Sequence, residues 1–318
     1  MAMQRKTNVY YSLVVPVFNE QENIFQLDDE IKKAMDSLKK PYEVIYINDG
    51  STDGTLNELS SLKRIKIINL NKNYGQATAL DAGFKEALGE IIISMDGDLQ
   101  NDPKDIPKLL EKLNTENLDV VCGWRKNRKD KSGIKILTKI GMFMRKVLIK
   151  DDVHDTGCTL RVYRRKAVKS LDISGEMHRY ILAILRWKGF KIGEVVVNHR
   201  PRINGKTKYG YNKAVRGFID LLYIWFIDKY SQRPLHIFGS VGIFSFLLGT
   251  LIEIFLLGIK IFGRVDLSDN AWFPLGFFFI IGGLIAFSFG ITIDLLMKIH
   301  LNNSPNEKRY YVRDILER

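Results

Sequence analysis

The 318-residue chain has only two cysteines, Cys122 and Cys158. That is too few for a disulfide framework or a thiolate zinc site, and both lie in apolar or glycine-flanked contexts, so they read as packing residues. The N-terminal MAMQRKTN lacks the central apolar stretch of a secretion signal, so the domain that follows is expected to stay on the side where it is made. An acidic excess is also missing. The formal charge of +12 suits an anionic partner: nucleic acid, a phospholipid surface or a phosphorylated substrate.

Two long segments, Leu235 to Phe262 and Ala271 to Met297, lack a polar face, whereas the chain up to about Gln232 mixes charged and apolar residues. Crossing a bilayer core takes about 20 helical residues, and helices of a soluble core seldom run this long without a polar stripe. Two transmembrane helices are therefore expected, which makes nucleic acid the least expected partner. Glu253 and Asp294 interrupt the spans. An ionisable group in a membrane sits near an interface or against protein. Asp294 lies close to its helix end, so Glu253 is expected to face a neighbouring helix.

With two spans, the tail KRYYVRDILER returns to the side of the N-terminal domain. It carries Lys308, Arg309, Arg313 and Arg318, while Lys260 and Arg264 between the spans are offset by Asp266 and Asp269. This bias predicts a cytoplasmic catalytic face on a multi-pass membrane protein.

Apolar content of 46% is ample for a core. Up to about residue 124, short apolar runs alternate with amphipathic stretches. YYSLVVPVFN, YEVIYINDG, IKIINLN, EIIISMDGD and DVVCGWR read as strands, and the segments between them read as helices. Such alternation indicates an α/β doubly wound parallel sheet, which binds ligands beyond the carboxyl ends of its strands. The loops there, PVFNEQEN, NDGSTDGT, NKNYG and DGDLQNDP, all carry Asn, Asp or Gly, as a nucleotide site requires. In the last of them Asp96 and Asp98 are separated only by Gly97. Two ionised carboxylates that close repel each other, and a hard divalent cation with oxygen ligands is the usual reason to crowd them.

In VVPVFNEQENI, NDGSTDGT, NYGQATALDAGF, DGDLQNDP, HDTGCTLRVYRR, GEMHRYI and HRPRINGKTKYG, followed by paired spans, the chain resembles family 2 glycosyltransferases of the GT-A (Rossmann-like) fold. Within that family it is similar to the polyprenyl-phosphate type, which includes dolichyl-phosphate mannose synthase and bactoprenol glucosyltransferase. The resemblance implies that Pro16, Phe18, Glu20 and Asp49 hold the nucleobase and ribose. It implies that Asp96 and Asp98 hold Mg2+ or Mn2+ against the diphosphate, where the metal neutralises charge on the departing group. Asp155 is expected beside the sugar, orienting a hydroxyl, acting as a base, or pairing structurally with Arg161 or Arg164. Glu176 is a second candidate of that kind.

A lipid phosphate is already anionic, so cations that position it matter more than a base. Arg125, Lys135, Arg200, Arg202 and Lys206, with Arg128 and Lys208, are the candidates for the phosphates of acceptor or donor, since guanidinium groups match phosphate oxygens in a bidentate way. Processive members carry Gln-x-x-Arg-Trp, whereas here Ala183 precedes Leu185-Arg186-Trp187. A single sugar transfer is expected.

The expected organisation is a catalytic domain over 1–211 that buries its own core, an amphipathic helix in the membrane interface over 212–233, two transmembrane helices over 234–300, and a cytoplasmic tail over 301–318. The expected activity is inverting transfer of one hexose, by resemblance glucose from UDP-glucose, to a polyprenyl phosphate by a homo-oligomer, with a tetramer as the working number. GDP-mannose or a modified aminosugar are rival donors. A non-catalytic membrane scaffold or a lipid-linked sugar translocator is the alternative of another class.

Overall fold

The computed structural model of the chain describes residues 9–126, 153–171, 173, 177–201, 226, 234–263, 270–303 and 312–317. They divide into a mixed α/β unit, which includes the C-terminal strand, and a unit of two long helices.

The α/β unit is built on β1 (Tyr11–Val17), whose seven residues are all buried. A strand covered on both faces has no polar alternation, which is why YSLVVPV reads as one apolar run. Successive side chains still point to opposite faces. Leu13, Val15 and Val17 join Ile24, Leu27, Ile31 and Met35 of α1 (Ile24–Ser37) on one side. On the other, Val14 packs with Ala79, Leu80 and Phe84 of α3 (Gln76–Glu86). The remaining elements are β2 (Tyr42–Asn48), α2 (Thr55–Ser61), β3 (Lys66–Leu70), β4 (Ile91–Ser94), α4 (Ile106–Thr115), β5 (Val120–Trp124), β6 (Arg161–Arg164), α5 (Arg165–Lys169), α6 (Ile181–Trp187) and β7 (Ile192–Val196). Every strand and helix expected up to Trp124 is present.

Among the described residues the sheet has eight strands in the order β7-β5-β6-β4-β1-β2-β3-β8, where β8 is Val312–Glu317. Its interior departs from the all-parallel expectation. β1 to β4 are mutually parallel, and so are β5 and β7, but β6 lies between β4 and β5 antiparallel to both. The reversal is useful, because it brings the residues that enter β6, His154 to Leu160, to the rim where β4 and β5 end. The second departure is β8, which pairs antiparallel with β3 from Lys66↔Glu317 to Leu70↔Val312. What reads in sequence as a tail completes the sheet, and the 1–211 segment does not contain the whole of it.

The second unit holds α7 (Leu235–Gly263) and α8 (Trp272–Asn303). At 29 and 32 residues they are about 44 and 48 Å long, more than a hydrocarbon core needs. They pack closely through small residues: a Cβ on Gly242 would lie 2.7 Å from the Gly283 carbonyl oxygen, a contact only glycine permits. The Glu253 side chain lies against Gly276 of α8, so it faces the neighbouring helix as expected. The juxtamembrane helix expected over 212–233 lies, except for the helical Phe226, outside the described residues.

Candidate active site

The carboxyl ends of β1 to β5 and β7, together with the start of β6, form one rim. Its first two loops are stitched to each other. Asn19, in the left-handed region at φ 56°, accepts the Thr52 N–H on Oδ1 at 2.8 Å and donates its own N–H to Ser51 Oγ at 3.0 Å. The Glu20 N–H donates to Thr55 Oγ1 at 2.9 Å, and Asn23 Nδ2 donates to the Glu20 carboxylate. Pro16 lies in β1 opposite Ile47, and the half-buried Phe18 follows that strand.

Buried Asp49, at the end of β2, accepts N–H groups from Tyr74 at 2.8 Å and Gly75 at 2.9 Å, one on each carboxylate oxygen. Burial pushes its pKa up against the lowering effect of those two donors. Asp49 therefore holds the loop between β3 and α3. Each oxygen keeps a second lone pair, so a nucleobase or ribose donor can still be accepted.

That loop leads straight to the acidic pair. Gln76, the first residue of α3, donates from Nε2 to Asp96 Oδ1 at 2.6 Å. A Cβ on Gly97 would meet Val17 Cγ1 at 2.7 Å and the Pro16 carbonyl oxygen at 3.3 Å, so glycine lets the turn lie on the end of β1. The next turn is strained. Buried Leu99 adopts φ 61°, at a cost of about 1–2 kcal/mol for a side chain that disfavours this region. The turn returns the Gln100 N–H to Asp98 Oδ1 at 3.2 Å.

Desolvation first, and then the charge of Asp98, push the Asp96 carboxyl up to about 6. A hydrogen bond with Thr159 and the guanidinium groups of Arg125 and Arg161 oppose the shift. Such a pair fits a hard divalent cation, which would relieve the repulsion that raises Asp96. Among the described residues no third His, Cys, Asp or Glu joins the two carboxylates, so a bound ion would complete its shell from water and phosphate oxygens.

Asp155 pairs not with Arg161 or Arg164, the structural partners expected from sequence, but with Arg125. The fork is bidentate, Nε to Oδ2 at 2.7 Å and Nη2 to Oδ1 at 2.9 Å, with the Arg125 backbone N–H adding a third bond at 3.2 Å. The reason is topological, because the end of β5 delivers Arg125 to the turn that carries Asp155. Arg161 is buried and spends its donors on the carbonyls of Cys158, Thr156 and His178, while Arg164 donates to that of Leu118. Arg200 forms ion pairs with Glu30 at 2.6 Å and Asp102 at 2.8 Å, and its backbone N–H bonds the Gln100 carbonyl. It thus braces the segment after the acidic pair and is already matched by two carboxylates. Lys135, Arg202, Lys206, Arg128, Lys208 and Glu176 lie outside the described residues.

Sequence reasoning passed over three side chains: Gln76, Thr159 and Glu194. The first two lie in NYGQATALDAGF and HDTGCTLRVYRR, where their position within the motifs was the available signal. Glu194 gave none, being one acidic residue on an edge strand.

The model of glycosyl transferase family 2 matches residues 12–172. The dodecaprenyl-phosphate galacturonate synthase of Rhizobium johnstonii is 36% identical over 96% of this chain and 93% of its own length. An undecaprenyl-phosphate 4-deoxy-4-formamido-L-arabinose transferase from Shewanella sediminis is 32% identical over 99% of this chain and 95% of its own. Among solved structures, Mycobacterium tuberculosis glucosyl-3-phosphoglycerate synthase in complex with Mn2+, UDP and phosphoglyceric acid superposes with a TM-score of 0.54. It is 21% identical and covers 68% of this chain and 78% of that one. The shared fold is GT-A.

Proposed function

Since the chain belongs to glycosyl transferase family 2, we propose that it transfers one sugar from a nucleoside diphosphate to a polyprenyl phosphate at the cytoplasmic face of a membrane. The observation that carries this reading is the Asp96-Gly97-Asp98 turn, tied through Gln76 to the loop that Asp49 holds. It offers, in one line along the rim, a nucleoside end and a diphosphate end. The polyprenyl phosphate acceptor is supported by the two relatives whose names carry it.

Asp96 and Asp98 would hold Mg2+ or Mn2+, which supplies electrostatic stabilisation of the departing diphosphate. The chain's own part is positioning. Asp49, the end of β1 at Pro16 and the loop that carries Phe18 and Glu20 fix the nucleoside, while Gln76 and Thr159 orient Asp96. One oxygen of the lipid phosphate attacks the anomeric carbon, the bond from that carbon to the diphosphate oxygen breaks, and the configuration inverts. A lipid phosphate needs no deprotonation. The commitment of both Asp155 oxygens to Arg125 supports a reaction without a protein base. Arg125, whose fork to Asp155 uses Nε and Nη2 and not Nη1, is assigned to a phosphate, with Lys135, Arg202 and Lys206 assigned to the same task. Arg200 is reassigned to bracing the acidic loop.

Transfer of a single sugar is supported by Ala183, which is buried in α6 where processive enzymes carry glutamine. The cytoplasmic placement rests on the positive bias of the tail, Lys308, Arg309, Arg313 and Arg318, and the pairing of β8 with β3 supports a tail on the same side as the sheet. For the donor we propose a uridine nucleotide. Glucose is the sugar the sequence resemblance favours, and the relatives' names add galacturonate and 4-deoxy-4-formamido-L-arabinose. The test is acceptor-dependent nucleotide release from a panel of UDP-sugars and GDP-mannose with a short polyprenyl phosphate. Release from one UDP-sugar is expected; release from GDP-mannose alone would overturn the uridine assignment.

A further inference from the structure

We propose that Glu194 is a positioning residue for transfer, holding the His154-Asp155 corner that fixes the Arg125 guanidinium. Glu194 projects from the middle of β7, an edge strand. Charges on edge strands commonly serve to keep other strands away, and such a charge faces solvent. The Glu194 side chain is instead only 16% exposed. Its Oε1 accepts the backbone N–H of His154 at 2.9 Å and that of Asp155 at 3.3 Å, and its Oε2 lies 2.8 Å from His154 Nδ1. Both oxygens thus serve one two-residue corner, and Oε1 also takes a long contact of 4.0 Å from Cys122 Sγ.

The corner is fixed from its other side as well. The His154 ring stacks on Trp124, with centroids 4.4 Å apart and planes at 19°, and Asp155 forks onto Arg125, the residue after Trp124. A line of contacts therefore runs from Glu194 through Asp155 to Arg125. A carboxylate that takes a histidine Nδ1–H also sets the ring's tautomer and orientation, and leaves Nε2 as an acceptor. The His154 side chain is 60% exposed. Misplacing a positioning group by about 1 Å costs on the order of 100-fold in rate.

The inference rests on the proposed transfer, and the experiment separates the two. Full-length Glu194→Ala, Glu194→Gln and wild-type proteins are compared in detergent by steady-state kinetics and by backbone hydrogen exchange over 153–157. Glu194→Ala should speed exchange at His154 and Asp155 and lower kcat by about 30- to 100-fold, with donor KM within about twofold. Glu194→Gln keeps an oxygen for both N–H groups, so it should restore slow exchange and most of kcat. Adding Asp155→Ala to Glu194→Ala should lower kcat by less than the product of the two single effects, because they act through one corner.

Unchanged exchange in Glu194→Ala would overturn the proposal. So would faster exchange with kcat within twofold of wild type, or a kcat loss that Glu194→Gln does not relieve. If wild-type protein transfers no sugar from any donor, the proposed function fails and the role in transfer falls with it. That result is recognised by kinetics alone, whatever the exchange shows.

Discussion

Replacing Asp96 by asparagine should stabilise the metal-free protein while removing its activity. The folded environment raises the Asp96 carboxyl from 3.8 to about 6, through burial and the neighbouring Asp98. A shift of about 2 units corresponds to roughly 3 kcal/mol by which the ionised form is disfavoured in the folded state. Asparagine removes the charge and keeps the shape. Its Oδ1 can still accept from Gln76 Nε2, and its amide can donate to the Thr159 hydroxyl. The variant should therefore melt roughly 6–12 °C above the wild type at pH 7.5 without metal, for a domain of this size.

The sign of the pH dependence follows from the raised value. Wild-type protein is unpenalised below the unfolded pKa near 4 and loses stability as pH rises through about 6, whereas the variant has no such loss. The difference should thus be about a third of its full size at pH 4.5 and complete above pH 7. Adding Mn2+ with UDP should stabilise only the wild type, because binding to the folded state alone raises apparent stability. Thermal melts in detergent across that range are the assay. A variant that melts at or below the wild-type temperature at pH 7.5, or above it by a margin independent of pH, would show that Asp96 carries no such penalty.

Asp155→Asn leaves the Arg125 fork unmatched; removing one partner of such a pair costs about 3–5 kcal/mol, so the same melts should show lower stability and transfer assays a loss of rate. Gly97→Ala places a methyl 2.7 Å from Val17 Cγ1; the crowding should cost about 1–3 kcal/mol and weaken UDP binding measured with Mn2+ by titration calorimetry. Deleting 312–318 uncovers the β3 edge, an unpaired strand that invites association. Light scattering should show self-association of the purified protein, and UDP affinity should fall because β3 leads into the loop that Asp49 holds. A monodisperse product with unchanged affinity would contradict that role for β8.

Much of the central sheet was legible in the sequence, because buried parallel strands such as YSLVVPV and EIIIS write themselves as apolar runs between amphipathic helices. The acidic turn was legible for the same local reason: Asp96 and Asp98 follow one strand directly. What escaped were pairings made over distance. β6 and β8 are short strands whose direction depends on the chain's route, and neither carries a pattern that reports it. The partner of Asp155 escaped likewise. Arg161 and Arg164 were the near arginines in sequence, whereas Arg125, thirty residues earlier, arrives from the end of β5. Arg200 looked like a free cation until Glu30 and Asp102, both remote in sequence, were seen beside it.

The central claim is that one sugar passes to a polyprenyl phosphate under the control of the acidic pair. The direct measurement is mass spectrometry of the lipid product formed by purified full-length protein from the donor that releases nucleotide, with Mn2+ or Mg2+, beside Asp98→Asn and a chelator control. A lipid phosphate carrying a single sugar is expected, formed only by the wild type with metal. A product with several sugars, or equal product from Asp98→Asn or with chelator present, would contradict it.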